Sequence, residues 1–286
     1  MSELSVRLRH RFHRVTGGRL RGFRTLIVAF LRLDLIEEAS YPLALVLQEL
    51  AVLVPVLSYF FIGELVGGSE VVGGDYFTFA AIGISVSLML DAVLSSFGKV
   101  LQRSQNRGQF EYLLSEPVPW LFLPFAMNLY RVVFGVFNGF LILGIAELLG
   151  ADFLWGNFPE FLVLMILGFG ASTAIGLLAA SVMVVAKRSQ PMLTLYSLAA
   201  SLLGGALFSV DQLPLWLRTF SYLIPHTYVI NAARTILMED PGSFTMPLDT
   251  AGIVLGFFNV FVLSGGLWIF HRALQYARRE GILGGY

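Results

Sequence analysis

The chain has 286 residues, of which 56% are hydrophobic and 13% charged, with basic and acidic side chains in balance and no cysteine. Ordinary soluble domains carry about 25% charged residues, so the composition excludes a soluble catalytic domain and points to one membrane domain over residues 1–286. The missing cysteines remove disulfides, thiol catalysis and cysteine-ligated metals; with zero net charge, any preference for charged partners must come from how charge is distributed, and no nucleic-acid partner is expected.

The polar, basic start lacks a short apolar core followed by a small-residue cleavage site, so it is expected to be retained. Residues 1–40 read as a cytosolic arm containing an amphipathic helix over 19–38. Leu20, Phe23, Leu26, Ile27, Phe30 and Leu31 share one face, and Arg21, Arg24, Thr25 and Arg32 share another. Such a helix lies in the headgroup plane with its arginines among lipid phosphates. The other reading is a frayed start to the first span. Asp34, Glu37 and Glu38, followed by Tyr41-Pro42, favour a separate surface helix.

A helix needs roughly 20 apolar residues to cross about 30 Å of hydrocarbon. Three runs, 161–186, 189–210 and 250–270, meet that length without any Asp, Glu, Lys or Arg. Three more are interrupted: 41–66 by Glu49 and Glu64, 77–97 by Asp91, and 120–149 by Arg131 and Glu147. The expected fold is therefore all-α, with six transmembrane helices. Eight arginines precede the first run; Lys99, Arg103 and Arg107 follow the second, Lys187 and Arg188 the fourth, and Arg272, Arg278 and Arg279 the sixth. The linkers after the first and third runs carry only acidic charge, at Glu70, Asp75 and Asp152. Lys and Arg stay on the cytoplasmic side, so both termini are placed in the cytosol of a multi-pass cell-membrane protein. Arg218 and Arg234, in the last outer linker, dissent.

Within the spans, Gly168, Ser172 and Gly176 repeat a small residue every fourth position, which permits close helix approach. The stripe reads as packing inside one bundle or as a dimer seam. Ser189 and Pro191 can start the fifth span with a cap and a first-turn proline. Glu49, Asp91 and Arg131 are ionisable groups inside spans, which are costly unless paired or facing water. They read as a neutralising cluster, flanked by Asn128 and Asn138, or as a proton or substrate relay. His226 has no second histidine in register to form a metal site. It reads as an interfacial polar residue, with pH sensing as its other reading.

Two further stretches carry information. The loop 98–119 begins basic and ends with a short helical stretch over 109–115, where Phe110, Leu113 and Leu114 stand at i, i+3 and i+4. That apolar patch is either a cytosolic docking surface or folds back on the helix ends. Residues 213–237 hold Trp216, Phe220, Tyr222 and Tyr228, and Pro225 divides them into two helices too short to span. They are expected to form a broken helical hairpin in the outer leaflet.

Together, Gly108-Gln-Phe-Glu111-Tyr-Leu-Leu-Ser-Glu-Pro117 and Leu213-Pro-Leu-Trp-Leu217, followed by Ile224-Pro225-His-Thr-Tyr228 and Ala233-Arg234, resemble the permease subunit of type-2 ABC transporters. The first stretch is similar to the family's G-x-x-E-x-L-x-x-x-P coupling helix. The second is similar to its L-P-x-W-L … N-P-x-T … R signature, with Ile224 where asparagine is usual. The resemblance implies ATPase docking through Phe110, Glu111, Leu113 and Leu114, and an outer hairpin marked by Trp216, Pro225 and Arg234. It also implies a homodimer of permeases with two ATPase subunits that bind ATP and Mg, and no cofactor on this chain.

The residues agree that nucleotide binds elsewhere. No G-x-x-x-x-G-K-[ST] is present, because Val93 and Val100 spoil the match around Gly98-Lys99. H-E-x-x-H and G-x-S-x-G are absent too, which leaves an intramembrane hydrolase or a non-transporting scaffold as the weakest class. An ABC exporter of an amphipathic or lipid-linked substrate is the leading expectation. The alternative is an ion-gradient-driven secondary transporter using Glu49, Asp91 and Arg131, against which the lack of inverted repeats counts.

Overall fold

The computed structural model describes residues 27–28, 31–32, 34–36, 38–66, 76–106, 122–186, 190–240 and 246–280. The described residues form helices and turns, with no strand among them. Five helices are long and apolar enough to cross a membrane. In chain order the helices are α1 (Pro42–Val66), α2 (Tyr76–Asn106), α3 (Phe122–Leu148), α4 (Phe158–Ala186), α5 (Gln190–Leu203), α6 (Leu215–Ser221), α7 (Pro225–Leu237), α8 (Leu248–Phe257) and α9 (Leu263–Arg279). The described residues between 27 and 39 are also helical, and the chain breaks at 40–41 before Pro42 restarts it. The start of the expected surface helix, at residue 19, lies outside the described residues.

Helices α2 and α4 form the centre of the bundle. Helix α2 packs against α1, α3, α4, α5 and α7, and α4 packs against α2, α7, α8 and α9. Their shared core contains Ile82, Met89, Leu90, Phe161, Ile230, Leu237 and Leu255, all buried. A second core at the other end joins Phe97, Leu177, Met183, Phe270 and Leu274. Helix α1 is the least buried of the long helices, with Leu43, Leu47, Val54, Phe61 and Leu65 exposed. Lipid solvates apolar side chains as well as other helices do, so close packing and polar contacts must hold such a bundle together. The stripe Gly168, Ser172 and Gly176 does this inside the bundle: Gly168 lies against Leu90 and Val229, and Gly176 against Leu94 and Phe97.

The fifth apolar run departs from the expected continuous helix. Helix α5 stops after 14 residues, at Leu203, which gives only about 21 Å at 1.5 Å per residue. Two glycines follow, and Gly205 has φ +78°, a backbone state that side-chain-bearing residues seldom adopt. Residues 204–209 then continue without helix to a 3₁₀ turn at Val210–Gln212. Hydropathy does not register this break because Ala206, Leu207 and Phe208 keep the run apolar.

The last span holds another irregularity. A π turn at Phe258–Val262 joins α8 to α9. The Asn259 side-chain amide donates to Leu255 O at 2.8 Å and to Leu167 O, on α4, at 2.9 Å. Its oxygen occupies the space that a Cβ on Gly170 would need. Buried polar bonds between membrane helices are worth about 0.6 kcal/mol on average and up to about 1.7. Asn259→Leu is therefore expected to lower the unfolding temperature in detergent by more than Val260→Leu, which changes an exposed neighbour. Equal melting of the two variants would mean that the π turn does not depend on Asn259.

Candidate functional site

The hairpin of α6 and α7 enters the bundle beside the broken fifth run. Pro225 is the first residue of α7, where its missing N–H costs nothing. The turn satisfies its own backbone: Thr227 Oγ1 donates to Ser221 O at 2.7 Å, and Tyr228 Oη donates to Tyr222 O at 2.9 Å. Ile224 is the N-cap of α7 and offers no side-chain cap, so the asparagine missing from the sequence signature is missing at a position where it would cap a helix. The far end of α7 is tied to the linker after α3, through Leu154 N to Leu237 O at 2.9 Å and Asn157 Nδ2 to Ile236 O at 3.0 Å.

Helix α7 lies in the groove between α2 and α4, antiparallel to α2. Arg234 stands beside Phe79 and Gly83, and His226 stands beside Asp91. These two contacts define the site, its root at Arg234 and its tip at His226. The tip meets α2 fifteen residues beyond Tyr76, about 22 Å along the helix at 1.5 Å per residue.

Arg234 is only 2% exposed, yet it has no carboxylate within ion-pair distance among the described residues. Its Nη2 donates to Ala206 O at 2.8 Å and its Nε to Phe79 O at 3.2 Å, while the guanidinium lies 3.4 Å above the Phe79 ring centre. Tyr76 Oη donates to the next carbonyl, Leu207 O, at 3.3 Å. In lipid, non-helical backbone is tolerated only where protein or water satisfies its polar groups. Arg234 and Tyr76 thus replace the helical N–H donors that the break after Leu203 removes. Gly83 makes the approach possible, because a Cβ there would strike Ala206 O and the Arg234 guanidinium.

At the tip, His226 is 1% exposed and its ring meets Tyr196, on α5, edge to face at 5.8 Å. Its Nε2 lies 3.9 Å from Asp91 Oδ1. The other expected site residues fall elsewhere. Glu49 faces Asn138, whose amide, turned with nitrogen toward the carboxylate, donates at 2.9 and 3.3 Å. The ion pairs within 4.0 Å among the described residues do not include Arg131. Trp216 is 66% exposed on α6, whereas Pro225 and Arg234 are buried. Phe110, Glu111, Leu113 and Leu114 lie outside the described residues.

The two arginines that dissented from the charge asymmetry are both accounted for locally. Arg234 is consumed by backbone carbonyls, and Arg218 pairs with Asp211 while its Nε donates to Tyr222 Oη at 3.0 Å. Sequence reading missed Gly83, Phe79 and Tyr196 as partners in this site. Only the i, i+4, i+8 run Gly83, Ser87, Asp91 on α2 hinted at a small, polar face.

The model of the ABC-2 type transporter family matches residues 46–238, from the first turns of α1 to the end of the hairpin. That is 193 of 286 residues. No curated protein matches the chain. Two-thirds of the sequence, including the broken fifth run and the hairpin that clamps it, thus lies within one family domain, and the chain belongs to the ABC-2 type transporter family as a multi-pass membrane permease of an ABC transporter.

Proposed function

We propose that this permease is the membrane half of an ABC exporter in the cell membrane, moving an amphipathic or lipid-linked substrate outward. A separate ATPase subunit, present in two copies, binds ATP and Mg and supplies the energy to a homodimer of this chain. The observation that carries the reading is the hairpin fixed by Arg234 against a broken fifth span, inside the matched family domain. The strongly apolar helices favour amphipathic cargo over a sugar or a cation. In this reading the fifth run does cross the membrane: α5 covers the cytosolic part, and residues 204–209 complete the path under the Arg234 clamp. Six crossings then leave both termini in the cytosol, with the arm 1–40 on the inner membrane surface, the loop 98–119 facing the ATPase and the hairpin 213–237 entering from the outer side, its tip reaching past the outer leaflet to Asp91.

The chain has no P-loop, so ATP hydrolysis has to arrive with a partner. Tagged permease purified from its native membrane in mild detergent is expected to bring with it a subunit that hydrolyses ATP. Purification as a lone chain, with no associated ATPase under conditions that keep it folded, would overturn the reading. The orientation has its own check. Ser69→Cys introduces a single thiol into a cysteine-free chain, and it is expected to react with a membrane-impermeant maleimide added to intact cells. Labelling only after lysis would reverse the topology.

A further inference from the structure

Native proteins leave few buried polar groups without a hydrogen bond, and each such group calls for an explanation. Among the described residues, both ring nitrogens of His226 are buried without a hydrogen-bond partner, and so are the Tyr196 hydroxyl against which the ring packs and the Ser87 hydroxyl one turn from Asp91 on α2. These groups gather where the hairpin tip meets α2 and α5. The junction is not a metal site: among the described residues no three His, Cys, Asp or Glu side chains come together. The smallest ligand that suits an imidazole and a carboxylate side by side is a proton.

We infer that the hairpin tip is a proton-binding site, in which the proton sits on His226 and is held there by the Asp91 carboxylate. A neutral imidazole offers one donor and one acceptor, whereas the protonated ring offers two donors. Burial disfavours the charged ring, whereas an opposite charge within about 4–6 Å favours it, and the 3.9 Å between Nε2 and Asp91 Oδ1 lies inside that reach. The charged bond shortens to about 2.8 Å when made, so a shift of the tip by about 1 Å completes an ionic tie between hairpin and span.

Among the described residues, Asp91 is the charged group nearest the His226 ring. On α2 the other ionisable groups are Tyr76 toward one end and Lys99 and Arg103 toward the other, with Lys99 about 12 Å beyond Asp91 along the helix. Helix α5 contributes Tyr196 alone, and α4 has only Glu160, in its first turn. Helix α8 has Asp249 in its first turn, and the 3₁₀ turn at Trp155–Asn157 has no ionisable group. On α7 itself Tyr228 donates its hydroxyl to Tyr222 O at 2.9 Å, and Arg234 stands two turns away, bound to Ala206 and Phe79 carbonyls. In α6, Arg218 is paired with Asp211.

The test uses the permease alone in detergent, so its failure is separate from any failure of the transporter reading. The chain has four histidines. Replacing His10, His13 and His271 with Gln leaves His226 as the sole signal in ¹⁵N-histidine NMR without touching the site. The His226 ring is expected to titrate between about pH 4 and 9, and Asp91→Asn is expected to move its midpoint down by about one pH unit or more. Asp91→Glu, which keeps the carboxylate, is expected to retain most of the parent midpoint. A ring that never protonates in that range, or a midpoint indifferent to Asp91→Asn, would overturn the inference.

Discussion

Arg234→Met is expected to lower the unfolding temperature of the permease in detergent, although it removes a buried charge. Replacing a buried charge by an apolar side chain of similar size is often neutral or stabilising when the charge's partners go with it. Here they do not go. Ala206 O sits in a non-helical stretch and receives its bond from Arg234 Nη2 at 2.8 Å. An orphaned buried carbonyl costs about 1–3 kcal/mol. Phe79 O lies within a helix, so losing its 3.2 Å bond from Nε should matter less. Arg234→Lys is expected to fall between parent and Met, because a single ammonium cannot reproduce the planar fork that reaches two acceptors and lies on the Phe79 ring. Gly83→Ala attacks the same contact from the other side, since its methyl group would meet Ala206 O, a backbone atom that cannot swing away. Overpacking of that kind costs about 1–3 kcal/mol. Arg234→Met and Gly83→Ala should be strongly non-additive, as both break one contact. Parent-like melting of Arg234→Met would show that the fifth run does not depend on the arginine.

This contact also shows where sequence reading stops. The long apolar helices were legible because α1 to α4 each contain a long, nearly unbroken apolar run, and the hairpin was legible because Pro225 interrupts a short aromatic stretch. The break after Leu203 was not legible. It depends on Gly205 at positive φ and on carbonyls satisfied by Arg234 and Tyr76, which lie 28 and 131 residues from their acceptors. Arg234 stood out as a misplaced charge, yet its partners are backbone atoms, which no side-chain pattern reveals. Asp91 and Glu49 stood out likewise as charges within apolar runs. The face of each helix that meets its neighbour places Asp91 beside His226 and Glu49 beside Asn138, and spacing along one helix cannot supply that pairing.

The hairpin connects these local findings to transport. Its tip touches Asp91 and Tyr196, its root clamps the fifth run, and its end is tied to the linker after α3. Motion of α2 would therefore be felt by the hairpin at both the Phe79–Gly83 and the Asp91 contacts. Helix α2 continues past the apolar run to Asn106, carrying Lys99 and Arg103. The proposed coupling loop, 98–119, begins within the last turns of this helix. An ATPase pushing on that loop would act on the same rigid helix that carries the hairpin.

Phe110, Leu113 and Leu114 are proposed to insert into a groove on the ATPase, with Glu111 making a polar contact at the rim. In the proposed helix their i, i+3, i+4 spacing would put them on one face, which the proposed topology leaves in the cytosol. Truncating a buried aromatic anchor at an interface often costs about 2 kcal/mol or more, whereas a rim charge costs less; at 1.4 kcal/mol per factor of ten, that is a loss of about 25-fold or more in affinity. Phe110→Ala is therefore expected to reduce co-purification of the ATPase, or to uncouple substrate-stimulated ATP hydrolysis, well beyond Glu111→Gln. The double variant Phe110→Ala, Leu113→Ala should lose both while the permease itself melts as the parent does. An arginine of the proposed surface helix serves as a control, since Arg21→Gln removes a charge from the arm 1–40 and leaves Phe110, Leu113 and Leu114 unchanged. Undiminished ATPase assembly and coupling in the double variant would remove this loop as the docking site and direct attention to the other connection proposed to be cytosolic, around Lys187 and Arg188.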